Sequence, residues 1–415
     1  MDNAISNHKE CCNKMCICIV ILQNISIFFP YLFHAITLIQ LLCLLLYITY
    51  FLLHRSAIVL NKNLIYWYLY VAVVFFNYYF GGDLNYIISF CIFNLVMLFS
   101  MNIEGISVMH YSIIKLCCFI HLIGNVMIFI MPAKIVNTIL SVLLNNYYQS
   151  NYSWRVIRGL NPGISSDIGT NAMFLSICIM VCVVELLESN KKKGSNLLIL
   201  ILSFIMLLTT SKRGALIFTL LSIILYYFFI HYSFSLKLSL AKLSKIMFII
   251  SVVCFFVYMI ITKSSFGETI VKKTSDLLQS GDITNGRLDL FNLAIKYFKT
   301  SPIVGVGFKT IYFHTGLDVH NTYMQILAEV GILGFIVFIF GICPLMYTSK
   351  KRLKLIICEK RRVNNIYVLQ LPVCNIALGF MLLLFLLQYG VIGNTFIDYL
   401  PCMLFCTSIT LIHGK

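Results

Sequence analysis

Charged side chains are scarce in this sequence: Asp, Glu, Lys and Arg make up 11% of its 415 residues, hydrophobic residues make up 60%, and the mean hydropathy is +0.92. That leaves too little polar surface for a soluble domain of this length. The ten-residue alternation of an outer-membrane barrel is missing, so apolar runs of about 20 residues are read as helices crossing a bilayer core of roughly 30 Å. No small-residue cleavage site follows Lys14, which makes the first run an uncleaved span.

A disulfide framework is also missing. The 16 cysteines fall mostly inside apolar runs, where a thiol behaves as a small hydrophobe. His8, Cys11, Cys12, Cys16 and Cys18 form the densest group, but they lack paired spacing and two of them enter the first span, which disfavours a metal site. There is no P-loop, no Asp-x-Asp pair, no HExxH and no His/Cys cluster on the outer side of the membrane. ATP-driven transport by this chain alone, a metal-bound nucleotide-sugar donor and zinc hydrolysis are therefore not indicated. The two halves show no repeat, which weighs against a symmetric transporter.

What is present is a series of apolar runs. Residues 196–231 decide the count, because 36 nearly continuous apolar residues would make a helix of roughly 54 Å. The break falls at Thr209-Thr210-Ser211-Lys212-Arg213-Gly214, the polar, glycine-containing step within the run. The same reading gives twelve spans, near 16–30, 34–53, 64–80, 85–101, 112–131, 168–187, 196–210, 214–231, 246–262, 323–347, 367–388 and 395–412.

With both termini cytoplasmic, Arg55, Lys62, Lys191 to Lys193, Lys237, Lys242, Lys245 and Lys350 to Arg362 lie in cytoplasmic connections, as the positive-inside rule requires. The net charge of +16 is thus a topology signal, and no nucleic-acid partner is implied. Two long segments remain outside, residues 132–167 and 263–322, in what reads as one integral membrane domain over 1–415. They carry Arg155, Arg158, Arg287, Lys296, Lys299 and Lys309. Cations on that side fit either a solvated loop surface or an anionic ligand.

Within the second segment, Leu288, Phe291, Ile295 and Phe298 recur at helical spacing, with Asp289, Asn292, Lys296 and Lys299 on another face. The expectation is an interfacial amphipathic helix, its apolar face toward acyl chains and its lysines toward lipid phosphates. Asn285-Gly286 precedes it and Ser301-Pro302 stops it. Pro302-Ile303-Val304-Gly305-Val306-Gly307-Phe308 follows, its two glycines free for close backbone approach.

Asp318-Val319-His320-Asn321-Thr322-Tyr323 then leads into a span carrying Glu329, Gly331 and Gly334. His320 is either a proton acceptor at the mouth of the bundle or a helix cap. Arg213 is either a snorkelling helix end or a fixed cation facing a polar cavity, where its fork would suit a diphosphate. Glu329 could orient His320 or pack within the bundle.

The ordered set Thr210-Ser211-Lys212-Arg213-Gly214-Ala215, Gly286-Arg287-Leu288, Pro302 to Gly307, His320-Asn321-Thr322-Tyr323 and Glu329-Val330-Gly331-Ile332-Leu333-Gly334 resembles the O-antigen ligase and Wzy-type polymerase superfamily. The resemblance covers roughly residues 150–345. It implies an all-α polytopic bundle of the GT-C type, with a large extracytoplasmic segment between late spans, in the bacterial inner membrane. It also implies an undecaprenyl-diphosphate-linked glycan as donor and no metal or nucleotide cofactor. Arg213 and Arg287 would hold the diphosphate and His320 would position or deprotonate the acceptor hydroxyl, as catalytic residues. Arg158, with Arg155 as its helical neighbour or true equivalent, would join Lys212, Asn321 and Glu329 in binding substrate. Membrane lipids and a chain-length regulator are the further candidate partners. The abundance of Ile, Asn, Lys, Phe and Tyr, the look of AT-rich polysaccharide gene clusters, favours a polymerase over a ligase, and a lipid-linked oligosaccharide flippase is the alternative of another class.

Overall fold

The computed structural model describes residues 2–30, 36–54, 57–131, 155–156, 160–165, 167–189, 193–231, 286–362 and 370–414. The described residues form thirteen α-helices and contain no strand. The helices are α1 (Asp2–Phe28), α2 (Ile36–His54), α3 (Ile65–Phe76), α4 (Leu84–Ser100), α5 (Ile106–Ile130), α6 (Ile168–Glu188), α7 (Lys193–Thr209), α8 (Arg213–His231), α9 (Arg287–Thr300), α10 (Thr310–Thr315), α11 (Thr322–Arg362), α12 (Gln370–Tyr389) and α13 (Tyr399–His413).

Six of these, α2, α5, α6, α8, α11 and α12, contain stretches long and apolar enough to cross a membrane, and α1, α4, α7 and α13 supply shorter apolar stretches. Large apolar side chains such as Leu38, Leu52, Leu198 and Phe340 stay exposed, as a lipid-facing surface requires. The chain is a polytopic helical membrane protein. Residues 196–231 divide as their polar step suggests, α7 ending at Thr209 and α8 starting at Arg213. The expected span near 246–262 lies outside the described residues, as do Arg55, Lys191, Lys192, Lys237, Lys242, Lys245 and the side chains of His8, Cys11 and Cys12.

The apolar stretches of α12 and α6 are 78% and 72% buried, against 28% for α2 and α8, which puts α6 and α12 at the centre. Around them α12 packs on α13, α8 and α11, α6 packs on α7 and α5, and α3 lies along α11. Trp67 locks this last contact, fully buried beside Phe338 and Phe405, with its indole N–H donated to Asn94 Oδ1 at 2.7 Å.

One irregularity shapes the end of the bundle that matters for function. Gly331 interrupts α11 with φ 74° and ψ −179°, a conformation open only to glycine. The backbone of 302–307 docks into the gap: Val306 N–H donates to Ala328 O, Gly307 N–H to Glu329 O, Ile332 N–H to Pro302 O and Leu333 N–H to Ile303 O. Groups freed by the break are satisfied by a neighbouring segment, the condition for irregular backbone in an apolar setting. A Cβ on Gly305 would stand 2.2 Å from Glu329 O, and one on Gly307 would stand 2.3 Å from Gly82 N. The close approach made by these glycines is therefore to other backbone.

The helix expected at 287–300 is present, but its buried stripe differs. Ala294 is buried, Phe291, Leu293, Tyr297 and Phe298 are partly buried against Ile311, Val319, Ala328 and Met324, and Leu288 and Ile295 are exposed. The apolar face packs on α10 and α11 and is not free for acyl chains, because this short helix buries its aromatic residues against the protein.

Candidate active site

A cavity of about 1200 Å³ opens at the end of the bundle where the Gly331 break lies. Its wall is built largely from helix beginnings. Asp167, Gly169 and Thr170 belong to the start of α6, Lys212 to Ala215 to the start of α8, Gly286, Arg287, Asp289 and Leu290 to the start of α9, His320 stands two residues before α11, and Asp398, Leu400 and Pro401 open α13. Helix starts carry the positive ends of helix dipoles, and these lie at the space. Tyr389 at the end of α12 and residues 392–395 after it also line the wall.

The side chains add charge to this arrangement. Lys212, Arg213 and Arg287 line the cavity as cations, and Asp167, Asp289 and Asp398 line it as carboxylates. Two of these carboxylates are already engaged. Asp167 caps α6 by accepting from Thr170 N–H at 2.9 Å and meets the Arg155 guanidinium at 3.2 Å. Asp398 accepts from Lys309 Nζ at 2.7 Å. With Asp167 and Asp398 held by Arg155 and Lys309, the lining of Lys212, Arg213 and Arg287 favours an anion, and a guanidinium fork matches phosphate oxygens.

His320 is exposed with φ 54°. The cap of α11 is the next residue: Asn321 Oδ1 accepts from Met324 N–H at 3.0 Å, and Asn321 Nδ2 donates to Val391 O at 3.1 Å. Thr322 fixes the same corner by donating from N–H to Gly390 O and from Oγ1 to Gly393 O. Desolvation within the wall lowers the imidazole pKa from its usual 6.5, Arg287, Lys212 and Lys309 add to the lowering, and Asp318 opposes it. A neutral imidazole at neutral pH is the form that can accept a proton.

Arg213, Arg287, Lys212 and His320, expected from the sequence as site residues, therefore meet at one cavity although they come from separate elements. Arg155 stands behind the wall, paired with Asp167. Arg158 lies outside the described residues. Asn321 and Glu329, expected among the substrate-binding residues, do not line the cavity. Asn321 is committed to capping and to Val391. Glu329 is fully buried and accepts from Lys309 N–H at 2.9 Å, Ile311 N–H at 3.3 Å and Gln325 Nε2 at 3.0 Å. It organises the turn after the glycines and packs within the bundle.

Residues 198–339, from α7 to the middle of α11, match the family model described as O-antigen ligase. The match over that stretch supports the O-antigen ligase/polymerase superfamily. The matched stretch carries Lys212, Arg213, Arg287 and His320, and the cavity adds Asp167 and the 389–401 wall from outside it. A search of curated proteins found no match to the chain.

Sequence reasoning missed several groups at the site. Asp398 has a readable signal, being the sole acidic residue after Glu359 and directly preceding an apolar helix, where an ionisable residue marks function. Asp167 was legible as an N-cap, Asp followed by a helical run. Lys309 was noted only as one more outer cation. Its side chain is 1% exposed, held by Asp318 and Asp398 at 2.7 Å each and faced by the rings of Tyr86 and Tyr312. Burial works against its charge, and Asp398 and Asp318 more than offset this, so its pKa lies above the ordinary lysine range.

Proposed function

We propose that this protein polymerises lipid-linked polysaccharide repeat units, O-antigen or capsular, on the extracytoplasmic face of the bacterial inner membrane. A hydroxyl at the end of one undecaprenyl-diphosphate-linked chain attacks the anomeric carbon of another, the configuration inverts, and undecaprenyl diphosphate leaves. The observation that carries this reading is the convergence of Arg213, Arg287, Lys212 and five helix beginnings on one cavity of about 1200 Å³ with His320 in its wall. The space is large enough for two glycan ends.

Charge develops on the diphosphate as the glycosidic bond breaks, and fixed guanidinium groups stabilise it without reorganisation. His320, neutral at working pH, takes the acceptor hydroxyl proton, a contribution of about 10²–10⁴ in rate. Holding donor and acceptor in line supplies much of the remainder. No metal is required by this scheme, since Lys212, Arg213 and Arg287 occupy the position of counter-charge. Twelve spans in a GT-C-like bundle, a single membrane domain over 1–415 with segments 132–167 and 263–322 outside, and cytoplasmic termini complete the proposal.

The second reading is a ligase that transfers the glycan to lipid A core, in keeping with the family description O-antigen ligase. Reconstitution in liposomes with lipid-linked repeats separates the cases. Lengthening of the repeats supports polymerisation, transfer onto lipid A core in place of lengthening supports ligation, and translocation without any bond formation overturns both.

A further inference from the structure

Lys309 lies beside the cavity without lining it, and the ion cluster it centres ties together elements that the cavity needs in register. Lys309 has φ 63°, a left-handed conformation rare for a lysine. Its backbone N–H is held by Glu329 of α11, its carbonyl accepts from Phe313 N–H of α10, and its ammonium meets Asp318 and Asp398 at 2.7 Å each. Asp318 stands two residues before His320, and Asp398 lines the cavity at the start of α13. The rings of Tyr86, from α4, and Tyr312, from α10, lie 5.0 and 4.9 Å from the ammonium.

We propose that Lys309 is a positioning residue for glycosyl transfer, fixing the His320 segment against the Asp398 wall and balancing Asp318, the carboxylate beside His320. The inference rests on the function proposed above. Asp398 is the carboxylate that reaches the cavity, with its side chain 38% exposed, whereas Lys309 is sealed at 1%. The ammonium thus acts through the two aspartates and touches no substrate. A lysine chosen only to fill space would not need two carboxylates, and a loop cation meant for a lipid phosphate would not be sealed between two tyrosines.

The electrostatic consequence has a sign. His320 is faced by Asp318 on its own segment, by Lys309, by Arg287 of α9 and by Lys212 before α8. Arg213, Asp167, Asp289 and Asp398 share the cavity wall with it. Neutralising Lys309 removes a cation and releases Asp318, so both effects favour the imidazolium and raise the pKa of His320. Neutralising Asp318 alone removes the one opposing carboxylate and lowers it.

The experiment compares wild type, Lys309→Met and Asp318→Asn in liposomes with lipid-linked repeats. It follows kcat and KM against pH and, separately, the pH dependence of His320 modification by diethyl pyrocarbonate, which reacts with neutral imidazole. Lys309→Met is expected to lower kcat by about 10–100-fold with a smaller change in KM. Its acid limb and the His320 modification curve should both move up, by a few tenths to about one pH unit. Asp318→Asn, which keeps the Lys309–Asp398 pair and so tests the idea even if Lys309→Met does not fold, should move both down. Unmoved curves in folded Asp318→Asn, or a Lys309→Met protein that loses thermal stability with kcat and pH profile intact, would reduce Lys309 to scaffold. A wild type that joins no repeats sinks the function above, and the modification curves still report on Lys309.

Discussion

Two regions of this molecule gather histidine and asparagine, and they use them differently. At the α1–α5–α6 contact, Asn125 and Asn171 exchange amide hydrogen bonds at 2.9 and 2.7 Å, and Asn171 also donates to Asn161 O at 3.1 Å. His121 lies fully buried against Phe29 and Phe174, its Nε2 at 2.5 Å from Phe28 O, and His110 meets Asn24 at 2.9 Å. There the polar side chains pair mostly with one another, although Asn24 Oδ1, His110 Nε2 and His121 Nδ1 are buried without a hydrogen-bond partner. At the cavity Lys212, Arg213 and Arg287 line an open space, with Ser211 Oγ and Asn394 Oδ1 among the buried atoms that have no partner. Polar side chains closed on one another hold helices together, and cations lining a cavity are placed to meet a ligand.

The contrast breaks most severely if His320 behaves like His121. His320→Ala should lower the joining rate by about 10²–10⁴ while leaving folded yield and melting unchanged. Because its pKa is lowered in the folded protein, the acid limb of the wild-type rate should fall below pH 6.5, the imidazole losing its base function only as pH drops through that lowered value. An acid limb well above 6.5 would assign the titration to another group. Arg213→Ala or Arg287→Ala should each cost about 10²–10³ in kcat, and Arg287→Lys about tenfold, since lysine keeps the charge and loses the fork. Full activity in the lysine variant would mean that charge alone suffices.

The closed region should give the opposite pattern. Asn171→Ala removes a buried partner from Asn125 and should destabilise the protein by about 1–3 kcal/mol in a thermal unfolding measurement, with activity per folded molecule unchanged. Altered kcat there would join the two regions functionally. The smallest effect belongs to Lys115, whose side chain is 48% exposed in its 2.8 Å pair with Glu185. Lys115→Met should shift stability by no more than about 1 kcal/mol.

How far the sequence could be read follows the same division. Hydropathy located ten apolar helices of the described residues, six of them long enough to cross a membrane, while Arg213 and His320 stood out at the edges of apolar runs, Arg287 stood out as an outer cation, and the family resemblance grouped the three. The role of Lys309 was illegible, because its partners Asp318 and Asp398 lie 9 and 89 residues away, and a loop lysine seen alone looks solvated. Glycine spacing at 305 and 307 signalled close approach but not to what. That the target was the interrupted backbone of α11 depended on Gly331, whose glycine could equally have served helix packing. The face of α9 was misjudged since periodicity identifies an apolar stripe without saying whether lipid or protein covers it.

The docking of 302–307 has a consequence in time. Gly81 and Asp83 are synthesised long before the backbone they receive: Thr310 bonds Gly81 O across 229 residues, and Asp83 N–H donates to Phe308 O. Until that late stretch arrives, the receiving turn between α3 and α4 has nothing to hold, and the interrupted top of α11 has no substitute for its missing bonds. The Lys309 cluster then waits further for Asp398, near the C-terminus. Biogenesis therefore finishes at the reaction chamber, and a chain truncated before Asp398 would carry every residue of the matched family stretch yet reach the membrane without a closed site.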